Sequence, residues 1–415
     1  MRPKNLARAT AVVLTGALVL TACGSGGTEH PNAVVYWDTS GPAENPVFTE
    51  LARDCARRGG YRVAVENVAY DQALNNFKTA AQGGNGPDVL RADVGWVAQL
   101  AQGGLIKDLS GTRLSRSTAD FLDVPLRSTR HQGKSYGVPQ VTDTLALFYN
   151  ERELAEAGVD PPETWKELKS IAPKLGGDSA LFINNDEYYA LPFLYSTGGS
   201  LVDVESKTIT VDSGAGVRGL GIAKRLLEAE AARTALDQPN SYTNMKAAFT
   251  SGEVTMMIDG PWVTPTLFES ELFSGGENLG VAPIPGPPGV ANSPVGGHDY
   301  VIRQGSDSGE DSVEFVECMS SPRAQAEIAA ELGLLPTRES VYDDPSVSSN
   351  PVVSEFAPLL DDAHERAWIP QGNELLKPLQ TAYADILAGK RSPREAADSL
   401  ATRYEEVVVP EYSRN

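Results

Sequence analysis

Residues 34–93 hold three short apolar runs, VVYWD (34–38), RVAVENV (62–68) and PDVLRAD (87–93), and each reads as a strand. Helical segments stand between them, one near 46–58 and the other DQALNNFKTAAQ (71–82). GWVAQLAQGG (95–104) follows as a third helix, closed by glycine. A βαβαβ succession calls for a parallel sheet with helices laid over it. Strand and helix signals continue to alternate downstream. Thr164, Trp165, Lys166 and Glu167 have capping-box spacing and predict a helix start. VRGLGIAKRLLEAEA (217–231) has apolar residues at helical period. VTMMID (254–259) is a strand running into Gly260-Pro261-Trp262, and the proline-rich APIPGPPGVANSP (282–294) reads as a loop. The chain has 415 residues, and single cores stop growing near about 250–300 residues, so two α/β domains are expected.

The N-terminus has a different grammar. Arg2, Lys4 and Arg8 precede or flank an uncharged run, ATAVVLTGALVL (9–20). A basic region, an apolar region and small residues after it make a secretory signal. Its twelve apolar-run residues fall short of the roughly 20 that span a bilayer. The ending Leu20-Thr21-Ala22-Cys23 resembles the lipobox of bacterial lipoproteins. That resemblance implies cleavage before Cys23 and lipidation of its thiol; an ordinary signal peptide with an incidental Cys is the alternative. Residues 1–22 are then a leader and 23–32, containing GSGGTEHP, a flexible tether. The expected location is the extracytoplasmic face of the cell membrane, held by lipid only, in a single-membrane bacterium.

Composition narrows the function. There are 35 Lys and Arg against 55 Asp and Glu, a net charge of −20, and removing the basic leader makes the balance more acidic. Nucleic acid and anionic membrane surfaces need basic patches and are disfavoured. Beyond Cys23 only Cys55 and Cys318 remain. Outside the cytoplasm they are either bridged or a pair of buried thiols. The four histidines, His30, His131, His298 and His364, are scattered without zinc-ligand spacing, so no metal and no cofactor are expected. Neither a Gly-x-Ser-x-Gly elbow, a His-Glu-x-x-His motif nor a P-loop is present.

Five segments in order carry a family resemblance: GKSYGVPQVTDTLALFYN (133–150), PPETWKEL (161–168), LPFLYSTGG (191–199), MMIDGPW (256–262) and SPVGGHDYVI (293–302). Together they resemble the family 1 extracellular solute-binding proteins, the maltose-binding-protein type. The resemblance implies a two-lobed, type II periplasmic-binding-protein-like α/β fold, with crossover hinges near 141–145, 291–297 and 344–350. Residues 33–142 with 296–345 would form lobe 1, and 143–295 with 346–415 lobe 2. The ligand would lie in the cleft between them.

A sugar offers hydroxyl edges and weakly apolar faces, so its site needs planar polar groups and aromatic platforms. Trp262 matches the position of the family's stacking tryptophan. Asp143 matches the acid on the crossover, and Asp186 with Tyr188 an acid-x-aromatic pair. Asp38 and Thr39 lie where the first strand meets the cleft, whereas Trp37 and Trp165 read as structural. After the third strand the sequence departs from the family. Ala92 replaces a tryptophan and Gly95-Trp96 an Asp-Arg pair, leaving Arg91, Asp93 and Trp96 as candidates. The family's Trp-Tyr pair near the C-terminus aligns with Leu376 and Lys377, and Trp368 is a substitute aromatic. Gly296, Gly297 and His298 form a loop, in which Gly297 and His298 are candidate ligand contacts.

These readings imply a monomeric, non-enzymatic receptor that delivers a sugar to ABC permease subunits. Maltose or a related α-glucoside is the expected ligand. Trehalose, another oligosaccharide, a polyol or a phosphodiester are alternatives, as is a lipid-anchored glycoside hydrolase.

Overall fold

The computed structural model describes residues 33–116, 118–236, 241–287 and 292–414. Cys23, the leader and the tether lie outside the described residues. Two larger sheets are built from β1 (Ala33–Asp38), β2 (Arg62–Asn67), β3 (Val89–Asp93), β4 (Val138–Asp143), β5 (Ala146–Asn150), β6 (Leu181–Ile183), β7 (Arg233–Thr234), β8 (Met256–Asp259), β9 (Leu279–Ala282), β10 (Gly296–Ile302) and β11 (Leu335–Pro336). The first sheet has the order β11-β4-β10-β3-β1-β2 and the second β7-β6-β8-β5-β9.

In the first sheet β1 is parallel to β2 and β3, as the βαβαβ pattern requires. β10 then inserts antiparallel between β3 and β4. Adjacent residues face opposite sides of a sheet. Val89, Tyr300 and Ile302 therefore pack against helices Asn45–Gly59, Gly309–Met319 and Pro322–Leu332. Leu90 and Val301, one residue over, pack against Tyr70–Gln82 and Val97–Gln102 on the other face. Each large side chain so buried contributes about 2–3 kcal/mol. The second sheet lies in its own core with Phe148, Leu181, Met257 and Phe249.

The chain leaves the first sheet at Asp143 and enters the second at Ala146, so two residues make the crossing. The return runs beside it. Leu145 N–H donates to Ser293 Oγ at 2.7 Å and Thr144 Oγ1 to the Pro294 carbonyl at 3.2 Å. Residues 293–294 pair in turn with Ala363–His364, whose imidazole stacks on Tyr195 of the second core at 4.0 Å.

Local signals account for most elements. Thr164 and Glu167 form the capping box. Trp165 donates to Ser196 Oγ at 3.1 Å, and Trp37 to Glu66 Oε2 at 2.8 Å, so both serve packing. The stretch 217–231 differs from expectation: two helices, Gly214–Leu220 and Ile222–Glu228, replace one. Gly219 explains the crowding, since a Cβ there would lie 2.7 Å from the Leu194 Cα, and glycine weakens helices by about 1 kcal/mol. Cys55 and Cys318 form a disulfide between Asn45–Gly59 and Gly309–Met319, with Cα atoms 5.8 Å apart.

Candidate functional site

The carboxyl ends of β1 and β3 and the start of β10 meet the crossover at Asp143. In α/β sheets this edge is where ligands bind. Asp38, at the end of β1, is fully buried. Its carboxylate accepts from Ser40 N–H at 3.0 Å, from the Ser40 hydroxyl, and from Asn45 Nδ2 at 2.8 Å. Thr39 Oγ1 donates to the Arg91 carbonyl at 2.8 Å. Arg91 is 2% exposed, donates from Nε to Gln140 Oε1 at 2.9 Å, and lies over the Phe48 ring. These three residues therefore brace the cleft edge by contacts within the protein.

Asp93 is also committed. Oδ1 accepts from Gly95 N–H at 2.7 Å and Arg366 Nη2 at 2.9 Å, and Oδ2 from the Tyr70 hydroxyl at 3.0 Å. Trp96 is 3% exposed and lies 5.2 Å from the Tyr70 ring, which itself is 48% exposed. The open aromatic face at this edge is therefore Tyr70, backed by Trp96. His298 presents its ring edge to Tyr70 at 6.1 Å, and both its nitrogens are buried without a hydrogen-bond partner. Burial, with Arg91 and Arg366 nearby, holds its pKa well below the usual imidazole range. A neutral ring offers one donor and one acceptor.

Gly297 has φ +123°, and a Cβ there would sit 2.2 Å from the Val141 carbonyl oxygen. Its role is to let β10 pass close to β4. Gly296 is required for a different reason. A Cβ on it would come within 2.0 Å of Asp143 Oδ1 and 2.8 Å of the Tyr188 hydroxyl, so those two groups converge over its Cα. Asp143 is 7% exposed and its carboxylate has no hydrogen-bond partner among the described residues. Burial pushes its pKa up to about 7.

From the segment after Ala363–His364, Arg366 extends toward the same place. Its Nε donates to the Val295 carbonyl at 3.0 Å and its guanidinium lies 5.5 Å from the Tyr188 ring centre. Asp186 is exposed and caps the short helix Glu187–Ala190 by accepting from Tyr188 N–H at 3.0 Å. Although one side of Asp186 faces solvent, the protein packed around its carboxyl desolvates it and raises its pKa, and desolvation pushes that of Glu187 up to about 7. Trp262 is half-buried, packs against the cores of both lobes, and donates to the Tyr242 hydroxyl at 3.1 Å. Gly260 permits this pose, because a Cβ would fall 2.0 Å from the Trp262 ring. Trp368 is half-buried with its indole nitrogen unpartnered.

Tyr70, Tyr242, Arg366 and Glu44 are absent from the residues expected on sequence grounds. Tyr70 starts the helix after β2, so the strand-end rule points to it. Glu44 is 7% exposed, with a pKa raised by burial. Arg366 has no local signal at all. Among the described residues no cluster of His, Cys, Asp and Glu is arranged to hold a metal ion, and no helix is long and apolar enough to cross a membrane.

Two α/β lobes, short paired crossovers and a polar-aromatic cleft at the strand ends define a hinged small-molecule receptor. The chain belongs to the bacterial extracellular solute-binding protein family, whose sequence profile matches residues 50–354. It is 23% identical over 410 residues to the maltotriose-binding protein of Pyrococcus abyssi (strain GE5 / Orsay), covering 93% of this chain and 83% of that one. Its structure is similar to the GacH receptor of Streptomyces glaucescens GLA.O, a protein crystallised unliganded and with acarbose and an acarbose homolog. The TM-score is 0.88 at 41% identity, over 92% of this chain and all of that one (100%). It also shares its fold with the maltose-bound MalE3 of T. maritima, at TM-score 0.80 and 22% identity, over 90% of this chain and 99% of that one. The members of the family are solute-binding proteins.

Proposed function

We propose that this protein is the sugar receptor of an ABC importer and that it captures maltose or a related α-glucoside between its lobes. The observation that carries this reading is the convergence of Asp143 and Tyr188 over Gly296, with Arg366 against Tyr188 and Tyr70 beside it on Asp93. Carboxylate, guanidinium and phenol groups suit hydroxyl edges, and the aromatic faces suit the apolar side of a pyranose. Similarity to the GacH receptor and to a maltotriose-binding protein supports an α-linked glucan or an analogue such as acarbose.

In this reading Asp143, Asp186, Tyr188, Trp262, His298 and Trp368 touch the ligand. Asp38, Thr39, Arg91, Asp93, Trp96 and Gly297 shape the edge that receives it. Lys377 is exposed and pairs with Glu374 at 2.8 Å, and Leu376 is half-buried. With no aromatic at those positions, a short ligand fits better than a long dextrin. Residues 33–142 with 296–345 form lobe 1 and 143–295 with 346–415 lobe 2. Ligand contacts with both lobes favour the closed state and shift the population toward it. The receptor works as a monomer moored by lipid on Cys23 beside its permease.

Calorimetric titration with maltose, maltotriose, trehalose and acarbose tests the ligand class. Micromolar or tighter binding of one of them, with a rise in melting temperature, is expected. Absence of heat with all four at millimolar concentration overturns the assignment. Metabolic labelling with a radioactive fatty acid, lost in Cys23→Ser, checks the mooring.

A further inference from the structure

Behind Trp262 lies a buried polar group that ligand contact alone does not explain. Asp259 ends β8, is fully buried, and accepts on Oδ1 from the Tyr189 hydroxyl and from Gly260 N–H, both at 2.9 Å. Its Oδ2 is buried and unpartnered. Such an oxygen costs about 1–3 kcal/mol if left so. The Tyr242 hydroxyl has the complementary deficit. It accepts the Trp262 indole N–H at 3.1 Å, and a phenol that accepts still has its own proton to donate. Tyr242 lies near enough to Asp259 for each to shift the other's ionisation.

We infer that Asp259 and Tyr242 form a relay that sets the orientation of the Trp262 indole, the Tyr242 proton going to Asp259 Oδ2. Asp259 is then a positioning residue. It reaches the ligand only through Tyr242 and Trp262, and the inference rests on Trp262 being a ligand platform. Lys246 also acts on Asp259, and the Tyr189 hydroxyl already occupies its Oδ1. Lys246 Nζ sits over the Tyr242 ring at 4.4 Å and not beside its hydroxyl, and the Tyr189 ring is 6.2 Å from that of Tyr242. Glu44 also acts on Tyr242 through its charge, and its Oε2 accepts from Gly41 N–H at 3.0 Å. Gly260 clamps the other end of the indole, since any Cβ would strike its ring.

The test is a set of variants of the full-length protein: Asp259→Asn, Tyr242→Phe, and each of these combined with Trp262→Phe, which keeps a platform without the indole N–H. Ligand affinity is measured by calorimetry with maltotriose, and indole emission is recorded in the free protein. Asp259→Asn and Tyr242→Phe should each weaken binding about three- to tenfold in the wild-type background, at about 0.6–1.4 kcal/mol by the usual conversion. Neither should change it more than about twofold in the Trp262→Phe background. Equal losses in both backgrounds, or none in the wild type, overturn the relay. Should Asp259→Asn fail to fold, the Tyr242→Phe pair decides alone. Should the wild type bind no sugar, the ligand reading fails by itself, and the relay then stands or falls on whether Tyr242→Phe shifts the emission.

Discussion

Arg366 and Asp93 are 2.9 Å apart, and their side chains are only 11% and 10% exposed. Asp93 ends a strand of the first sheet, whereas Arg366 follows a segment stacked on the second core through His364 and Tyr195. The pair therefore ties the end of a first-sheet strand to the segment that follows Ala363–His364. A second bridge, Arg127 to Glu365, is exposed on both sides and is worth little.

Removing one partner of a buried pair strands the other. Arg366→Ala should lose about 3 kcal/mol of unfolding free energy, at the low end of the usual range because Asp93 keeps two other donors. Denaturant titrations of Arg366→Ala, Asp93→Asn and the double variant check this. The double variant should cost clearly less than the sum, and strict additivity would show that the two groups do not interact.

Trp262→Ala should weaken maltotriose binding at least about tenfold, the loss of an aromatic platform of roughly 1.5 kcal/mol. Gly260→Ala should do nearly the same while leaving the tryptophan in the chain, because its Cβ displaces the ring. Calorimetry reads both. A Gly260→Ala protein with wild-type affinity would refute the clamp.

Asp143 sets a pH dependence. Its pKa rises from 3.8 to about 7 in the folded protein. Folded chains therefore hold this proton, and unfolded ones release it, between those values, so this group's contribution to stability falls as pH rises through the window. At pH 8 the charge costs at most about 4 kcal/mol. Asp143→Asn should raise the melting temperature at pH 8 and lose that advantage near pH 4. Ligand hydroxyls favour the charged carboxylate, so sugar binding near pH 7 should release a proton. Titration enthalpies measured in phosphate and in Tris should differ for the wild type, and the difference should shrink in Asp143→Asn, any remainder coming from Glu187.

The disulfide closes a separation of 263 residues between helices of one lobe. Cys55→Ala with Cys318→Ala should lose about 5–6 kcal/mol by the loop-entropy estimate. Sugar affinity should stay within twofold, because the bridge lies in the first core, away from the cleft. A larger affinity loss in calorimetry would mean the bridge shapes the site.

Alternating apolar runs were enough to place the strands and helices of 34–102, because a strand packed on both faces has to be apolar along its length. Capping at Thr164 and the turn at Gly260-Pro261-Trp262 were legible for the same reason: local hydrogen bonding and sterics decide them within a few residues. The order of the sheets was not legible. β10 enters between β3 and β4 from more than 150 residues downstream, and nothing near 296–302 encodes that neighbour. The candidate site divides along the same line. Asp143, Tyr188 and Trp262 are marked by local motifs, whereas Arg366 enters through the pairing of 363–364 with 293–294. Whether an acid at the edge faces ligand or protein was likewise a tertiary matter. Asp38 and Asp143 look equivalent in sequence, but one is consumed by Ser40 and Asn45 and the other is left unpartnered above Gly296. Periodicity and capping belong to neighbours in the chain, while the state of a buried charge depends on which distant donors the fold brings to it.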